Sequence, residues 1–369
     1  MFTGRWGSGQ TAEVSDPEAT VPRVVLAAGT ATGAGTAVAL TAAVRALAEL
    51  DADVVAIVGR PAPAVAPLRV TVRPSGRGAA LLGELVGRGG ADCYIGFADR
   101  LPLVGRGGRH QVLVVQNPHL YGRPDASWAL AERAKFAVLA AWARRSVGRA
   151  DRIVCSTGAS RDSVVAATGV QAERVEVVPI PAIDIEVSKE KQPDHIGRLV
   201  VVGDRYPYKR TIDAVGAAAK FAARMGRTIE LTLVGRDRDA DTEAELAAAI
   251  AGASGVTVRM TGPLLHAEAL AEMAAADVLL LTSMTETQGL PLVEAHAIGL
   301  PVVCRGIGPF LELGGDAVMA VPVDAAAAGF ADALVSIDDR VERERLAAAG
   351  RALHPPGQSW ELVTMADLV

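Results

Sequence analysis

The stretch Leu279 to Arg305 reads LLLTSMTETQGLPLVEAHAIGLPVVCR. Its apolar run ends at Leu281, as expected of a strand buried in a parallel sheet. A polar loop, Thr282 to Gly289, follows. Pro291 falls where a helix begins, a position at which its missing N–H costs nothing. Gly299 stops that helix, and Pro301 to Cys304 is a second strand. Two carboxylates stand eight positions apart, Glu286 in the loop and Glu294 on the helix. Loops at the carboxyl ends of parallel strands face the binding crevice of α/β proteins. The N–H groups of Gly289 and Leu290 are the unpaired donors of a helix start, which suits a phosphate. Glu294 close by can accept from the hydroxyls of a ribose or sugar. The same spacing also fits a solvated Glu286 and a Glu294 favoured only by the helix dipole.

A chain of 369 residues has room for two α/β domains or one large one. Half of it is hydrophobic and only 4% aromatic, so its cores must rest on aliphatic packing. With 37 basic against 42 acidic residues, the net charge of −5 argues against a dedicated nucleic-acid binder. Cys93, Cys155 and Cys304 lie in apolar, strand-like runs and read as buried thiols of a reducing compartment, the cytoplasm.

Residues 1–20 are polar and are expected to be a disordered leader. Val24 to Val44 holds no charged residue, but its glycine-rich middle is too polar for a membrane span. It reads as a strand (Arg23 to Ala28), a turn and a helix (Thr36 to Leu50). In the turn, Gly33 and Gly35 let backbone N–H groups approach an anion. A dinucleotide-binding fold is a competing reading, but Val38 stands where it needs a small residue. The strand Asp53 to Val58 also ends in Gly59-Arg60 rather than an acid.

Further strands are expected at Ala91 to Ala98 and Gln111 to Val115, joined by an exposed connection that begins at Asp99. Gln116 to Tyr121 is a polar cluster at a strand end, and it places His119 toward the crevice or on a capping loop. Helices are expected at Ser127 to Val147 and Gly158 to Thr168. Arg198 to Gly203 opens a second unit. After it, Arg205, Lys209 and Arg210 precede a helix from Thr211 to Met225, a group able to clamp a diphosphate. Arg236 to Glu243 alternates charges and reads as a self-neutralising surface rather than a metal motif. A strand at Val256 to Met260, a short helix at His266 to Ala275 and one helical stretch from Ala325 to Ala352 complete it.

Together these motifs resemble the retaining glycosyltransferases of family 4, in the GT-B group. The family pattern E-x7-E, with G-L-P inside and G-x-P-V-V after it, is met by Glu286, Gly289-Leu290-Pro291, Glu294, Gly299 and Pro301-Val302-Val303. Pro207-Tyr208-Lys209-Arg210 matches a second family segment. Two departures stand out. Thr287-Gln288 replaces a small residue and an aromatic. Arg205 sits one residue closer to Lys209 than the family's G-R-x4-K pattern, because Asp204 follows Gly203.

The resemblance implies an α/β protein of two Rossmann-like domains with parallel sheets facing a central cleft. Residues 21–182 would form the acceptor side, 183–197 a linker, 198–354 the donor side, and 355–369 a tail helix crossing back from near Trp360. It implies a nucleotide-diphosphate sugar (UDP, GDP or dTDP type) as donor substrate, a saccharide or small-molecule acceptor, and no metal or other cofactor. Glu286, Arg205, Lys209 and His119 would act on the reacting groups. Gly33, Gly35, Gly262, Leu264, Leu265, Thr287, Gln288, Gly289, Leu290 and Glu294 would hold the donor, with Gly262 to Leu265 at the base and Glu294 at the ribose. No nucleic acid is implied, and membrane association is not indicated. An NADP-dependent oxidoreductase using Gly33 and Arg60, and a non-catalytic nucleotide-sugar-binding protein, are the readings from other classes.

Overall fold

The computed structural model describes residues 21–28, 34–48, 52–58, 70–74, 85–87, 89–97, 99–122, 130–189, 191–237, 240–357 and 360. Gly33, Arg60, the polar leader and the residues after Trp360 lie outside this set. The strands form two sheets, and every pairing between neighbouring strands is parallel.

The first sheet contains β1 (Arg23–Ala28), β2 (Asp53–Val58), β3 (Val70–Pro74), β4 (Ala91–Gly96), β5 (Gly108–Val114), β6 (Arg152–Cys155) and β7 (Val175–Val177). Their spatial order is β3-β2-β1-β4-β5-β6-β7. The second contains β8 (Arg198–Val202), β9 (Ile229–Val234), β10 (Val256–Gly262), β11 (Val278–Leu281), β12 (Val302–Arg305) and β13 (Val318–Val321), in the order β10-β9-β8-β11-β12-β13. The order reverses between β1 and β4 in one sheet and between β8 and β11 in the other. Loops leaving those strands therefore part and open a crevice.

The sequence explains why the sheets are covered on both faces. β11 is VLLL and β12 is VVCR, and all eight residues are buried. Two aliphatic cores flank each sheet. Each fully buried Leu or Ile contributes about 1.5–3 kcal/mol relative to exposure, so aromatics are not needed in number. Trp360 is one of the few; it is buried in the first core, edge-on to Phe97, and donates from Nε1 to the Val178 carbonyl.

The uncharged segment from Val24 is the buried strand β1 followed by the helix Ala34–Ala48, and no helix among the described residues is long and apolar enough to cross a membrane. The three cysteines are buried and free. Burial pushes the thiols of Cys155 and Cys304 up to about 12.

Two expectations are corrected. The stretch from Ala325 is two helices, Ala327–Ser336 and Arg340–Leu353, because Asp339 caps the second one through the N–H of Val341. The connection at Asp99 is not exposed: Asp99 and Leu101 are buried, and Asp99 holds a left-handed backbone (φ 60°).

Candidate active site

The site grows out of the carboxyl ends of β8 and β11, which are adjacent strands. After β8, Pro207–Lys209 makes a single 3-10 turn, and Arg210 in left-handed conformation starts the helix Thr211–Met225. The β11 loop is tied to this turn. Thr282 Oγ1 donates to the Lys209 carbonyl at 2.6 Å, and the Met284 N–H donates to the Tyr208 carbonyl at 2.8 Å.

Beneath the loop lies Arg305, 2% exposed. Its Nε donates to the Thr282 carbonyl, one terminal nitrogen to the carbonyls of Val323 and Ala325, and the other to Asp213 at 2.8 Å. A buried guanidinium is tolerable only when its donors are satisfied in this way. The bracing fixes where the next residues point.

They point Glu286 at Lys209, and the two form an ion pair. The pair borders a cavity of about 20 Å³, room for one water, lined also by Gly203, Thr211, Ser283 and Gly289. Glu286 also borders a larger cavity, about 300 Å³, between the two domains. Tyr121, Ser160, Ser163, Thr285, Thr287 and Pro309 line that one. Its size suits a sugar and its hydroxyl-rich wall suits hydroxyl recognition, so the larger hollow is the better candidate for substrate. Glu286 is the residue common to both.

The helix Leu290–Ile298 begins at Gly289, whose φ is 85°. Any Cβ there would also stand 2.3 Å from the Phe310 ring, so only glycine fits. Leu290 packs against the first-domain core, as does Val38 of the helix Ala34–Ala48. Gly35 is in the first turn of that helix. Glu294 is buried one turn further in and lines neither cavity; its Oε1 lies 2.8 Å from Nε2 of His266.

Arg205 is placed differently from the clamp expected of it. Its guanidinium is buried on Asp237 through bonds of 2.6 and 3.0 Å. The Asp237 carboxyl is held below its ordinary value, first by that hydrogen bond. Arg205 lines neither cavity.

Gln288 is likewise turned from the crevice. Its amide exchanges two hydrogen bonds with the backbone of Ile180, at 2.7 and 2.9 Å, across the domain boundary. Thr287 faces the first domain: its carbonyl accepts from Thr157 and Ser160, and its hydroxyl donates to the Gln116 carbonyl. In the loop expected to hold the base, Gly262 (φ 71°) accepts from the Gly235 N–H. Leu264 is half-buried, and the N–H of exposed Leu265 is taken by Glu268.

His119 meets the second domain, with its ring edge-on to Tyr208 at 4.6 Å between centroids, and Tyr208 stacks on Tyr206. The loop bearing it rests on Asp99, whose carboxyl accepts from the N–H groups of Gln116 and Asn117. Burial pushes Asp99 up to about 7 against those bonds. Asp99, Arg305 and His266 were not singled out from sequence. For Asp99 the available signal was its place directly after an apolar strand. For Arg305 it was a charge ending the buried run PVVCR.

Two parallel doubly wound sheets facing a crevice, with the polar groups gathered on the β8–β11 side, define a protein of the GT-B fold. Residues 196–339 match the family model described as Glycosyl transferases group 1.

Among relatives, the chain is 27% identical over 270 residues to a D-inositol 3-phosphate glycosyltransferase of Geodermatophilus obscurus, covering 69% of this chain and 59% of that protein. It is 29% identical over 240 residues to one of Kribbella flavida, covering 60% of this chain and 56% of that protein. The chain thus spans less than two thirds of the length of these curated relatives. Among solved structures it resembles HepE of Anabaena in complex with UDP and glucose (TM-score 0.67, 18% identity, 93% of this chain and 97% of that one). It also resembles WaaG, a glycosyltransferase involved in lipopolysaccharide biosynthesis (TM-score 0.66, 18% identity, 94% and 98%). At such identities these two likenesses speak for the fold.

Proposed function

We propose that this chain is a retaining glycosyltransferase that moves a sugar from a nucleotide-diphosphate sugar to a hydroxyl of a saccharide or small-molecule acceptor. The observation carrying this reading is the Lys209–Glu286 pair, set where the small cavity meets the 300 Å³ hollow, inside the segment that matches the family. HepE, described with UDP and with UDP-glucose, supports a donor of the UDP type.

On donor binding, Lys209 passes from Glu286 to the diphosphate and offsets its charge as it leaves. Glu286 then accepts from a sugar hydroxyl, and the N–H groups at Gly289 and Leu290 face a phosphate oxygen. The acceptor oxygen bonds to the anomeric carbon on the face that the diphosphate vacates. The carbon–oxygen bond to phosphate breaks with its electron pair, and the acceptor proton passes to the departing phosphate. His119 and Thr287 flank the acceptor, and Glu294 holds the ribose. In this reading the charge work falls to Lys209, and no metal takes part. The setting is cytoplasmic, in natural-product or envelope glycan assembly.

A thermal-shift panel of UDP, GDP, dTDP and their sugars identifies the donor; NADPH included as a control is expected to give no shift. Turnover with the donor found is then followed by proton NMR, which reads the anomeric configuration of the product, and is repeated with excess EDTA. Retained configuration and undiminished rate in EDTA are expected. Inversion rejects the same-face route, loss of rate in EDTA rejects metal independence, and binding without turnover leaves a nucleotide-sugar-binding protein.

A further inference from the structure

Among the described residues, the hydrogen-bond partner of Glu294 is His266, at 2.8 Å. His266 is the first residue of the helix His266–Ala275 and directly follows the loop Gly262 to Leu265. Helix starts favour Ser, Thr, Asp or Pro, and a positive charge there opposes the dipole. The helix therefore does not account for this histidine, whereas the carboxylate does. The Glu294 side chain is 7% exposed and the imidazole 25%, so the pair is largely withdrawn from solvent.

The charged groups facing the ring come from three elements. Glu294 is on the helix Leu290–Ile298, Asp184 on the segment between the domains, and Arg45 on the helix Ala34–Ala48; the last two are paired at 2.7 Å. Burial works to lower the imidazole pKa, and Arg45 adds to that. The bond and charge of Glu294, helped by Asp184, outweigh them, and the ring is held above its ordinary 6.5.

We propose that His266 is a positioning residue for the donor, holding the Glu294 carboxylate by one oxygen so that the other is presented to the ribose hydroxyls. The inference rests on the donor reading given above. A carboxylate braced in this way has lost its rotational freedom before the ligand arrives, as partners behind metal ligands and catalytic groups do. In its charged state the ring also offsets the repulsion between Glu294 and the diphosphate. Nucleotide affinity is then highest while the ring is protonated and falls as pH rises through its pKa.

The test is isothermal titration calorimetry across neutral pH. The probe is whichever of UDP-glucose, GDP-mannose and dTDP-glucose binds the wild type tightest; these diphosphate diesters do not themselves titrate in that range. His266→Ala is expected to raise Kd about tenfold. His266→Gln, which keeps a neutral donor, is expected to recover most of that and to give a pH-independent Kd, while the wild type weakens about threefold as the ring deprotonates. A purely structural tie between the two helices would instead lower the melting temperature and leave the pH profile of Kd intact. If His266→Ala fails to fold, His266→Gln carries the test through its flat profile. Wild-type Kd and pH dependence in both variants overturn this inference alone. Absence of any binding to the wild type overturns the donor reading and this inference with it.

Discussion

The two sheets have similar strand orders, yet they hold their crevice loops differently. In the second domain Arg305 and Thr282 tie the β11 loop to β8 and β13 neighbours, all inside residues 198–354. In the first domain Asp99 holds the Gln116 loop from within, and the loops also reach outward. The Gln116 carbonyl, the hydroxyls of Thr157 and Ser160, and the N–H groups of Gly158 and Ala159 all find partners across the boundary, on Thr287 and Glu312. The second domain carries a preformed half-site. The first completes its polar bonding only when the two are together. On the proposed transferase reading, a rigid half suits the donor and an adjustable half suits the acceptor.

This contrast can be broken most forcefully at Asp213. Its carboxylate and Arg305 are 7% and 2% exposed, and removing one partner strands a buried charge. Asp213→Ala is expected to cost about 3–5 kcal/mol. The loss should fall on the second domain alone. Residues 198–354 contain no tryptophan, while Trp142 and Trp360 are buried in the first. Circular dichroism should therefore show an early transition to which tryptophan fluorescence is blind. A single shifted transition in both signals would show that the domains are not separately braced.

Next in size is Glu286→Gln, which keeps the shape of the loop and removes its charge. Turnover is expected to fall about 100- to 1000-fold while nucleotide affinity changes little. Equal losses in both would make Glu286 a binding group only.

The smallest expected effect sharpens the comparison through pH, because each domain buries one titrating group of opposite sense. Burial, with His354 beside it, pushes His296 in the second domain down to about 3 from 6.5. The unfolded chain binds that proton more readily, so His296 costs stability as pH falls below 6.5. Asp99 in the first domain is raised from 3.8 to about 7, so its folded form keeps a proton that the unfolded chain has lost. Its contribution is full below 3.8 and is lost as pH rises toward 7. Each slope is about 1.4 kcal/mol per pH unit inside its window. Denaturant melts at several pH values should show His296→Leu flattening the acid limb of the circular-dichroism transition. Asp99→Asn should flatten the neutral limb of the fluorescence transition. Slopes unchanged in both variants would place the pH dependence elsewhere.

Most of the second domain was legible in the sequence, since its signals are local. An apolar run, a helix-start proline and a stop glycine lie within one stretch, and Glu286 and Gly289 line the small cavity beside it. What the chain hid was non-local. Arg205 looked like a phosphate clamp, yet its guanidinium goes to Asp237, more than thirty positions away. Gln288 looked like a donor contact, because nothing near it in sequence announces Ile180 as its partner. Asp99 was read as exposed because a charged residue before Arg-Leu-Pro has the composition of a surface turn. The backbone of Gln116 and Asn117, folded over it, helps make burial tolerable. The helix break at Asp339 was readable in principle as an N-cap, but the flanking alanines kept a helical pattern running through it.

The proposed grip of Lys209, beside Glu286, on the diphosphate of an activated sugar can be read by calorimetric titration. UDP-glucose, GDP-mannose and dTDP-glucose would be titrated into the wild type and into Lys209→Ala. Saturable binding of at least one of them to the wild type is expected, with a loss of about tenfold or more in the variant. No binding by any of the three, or equal affinity in the two proteins, would contradict it.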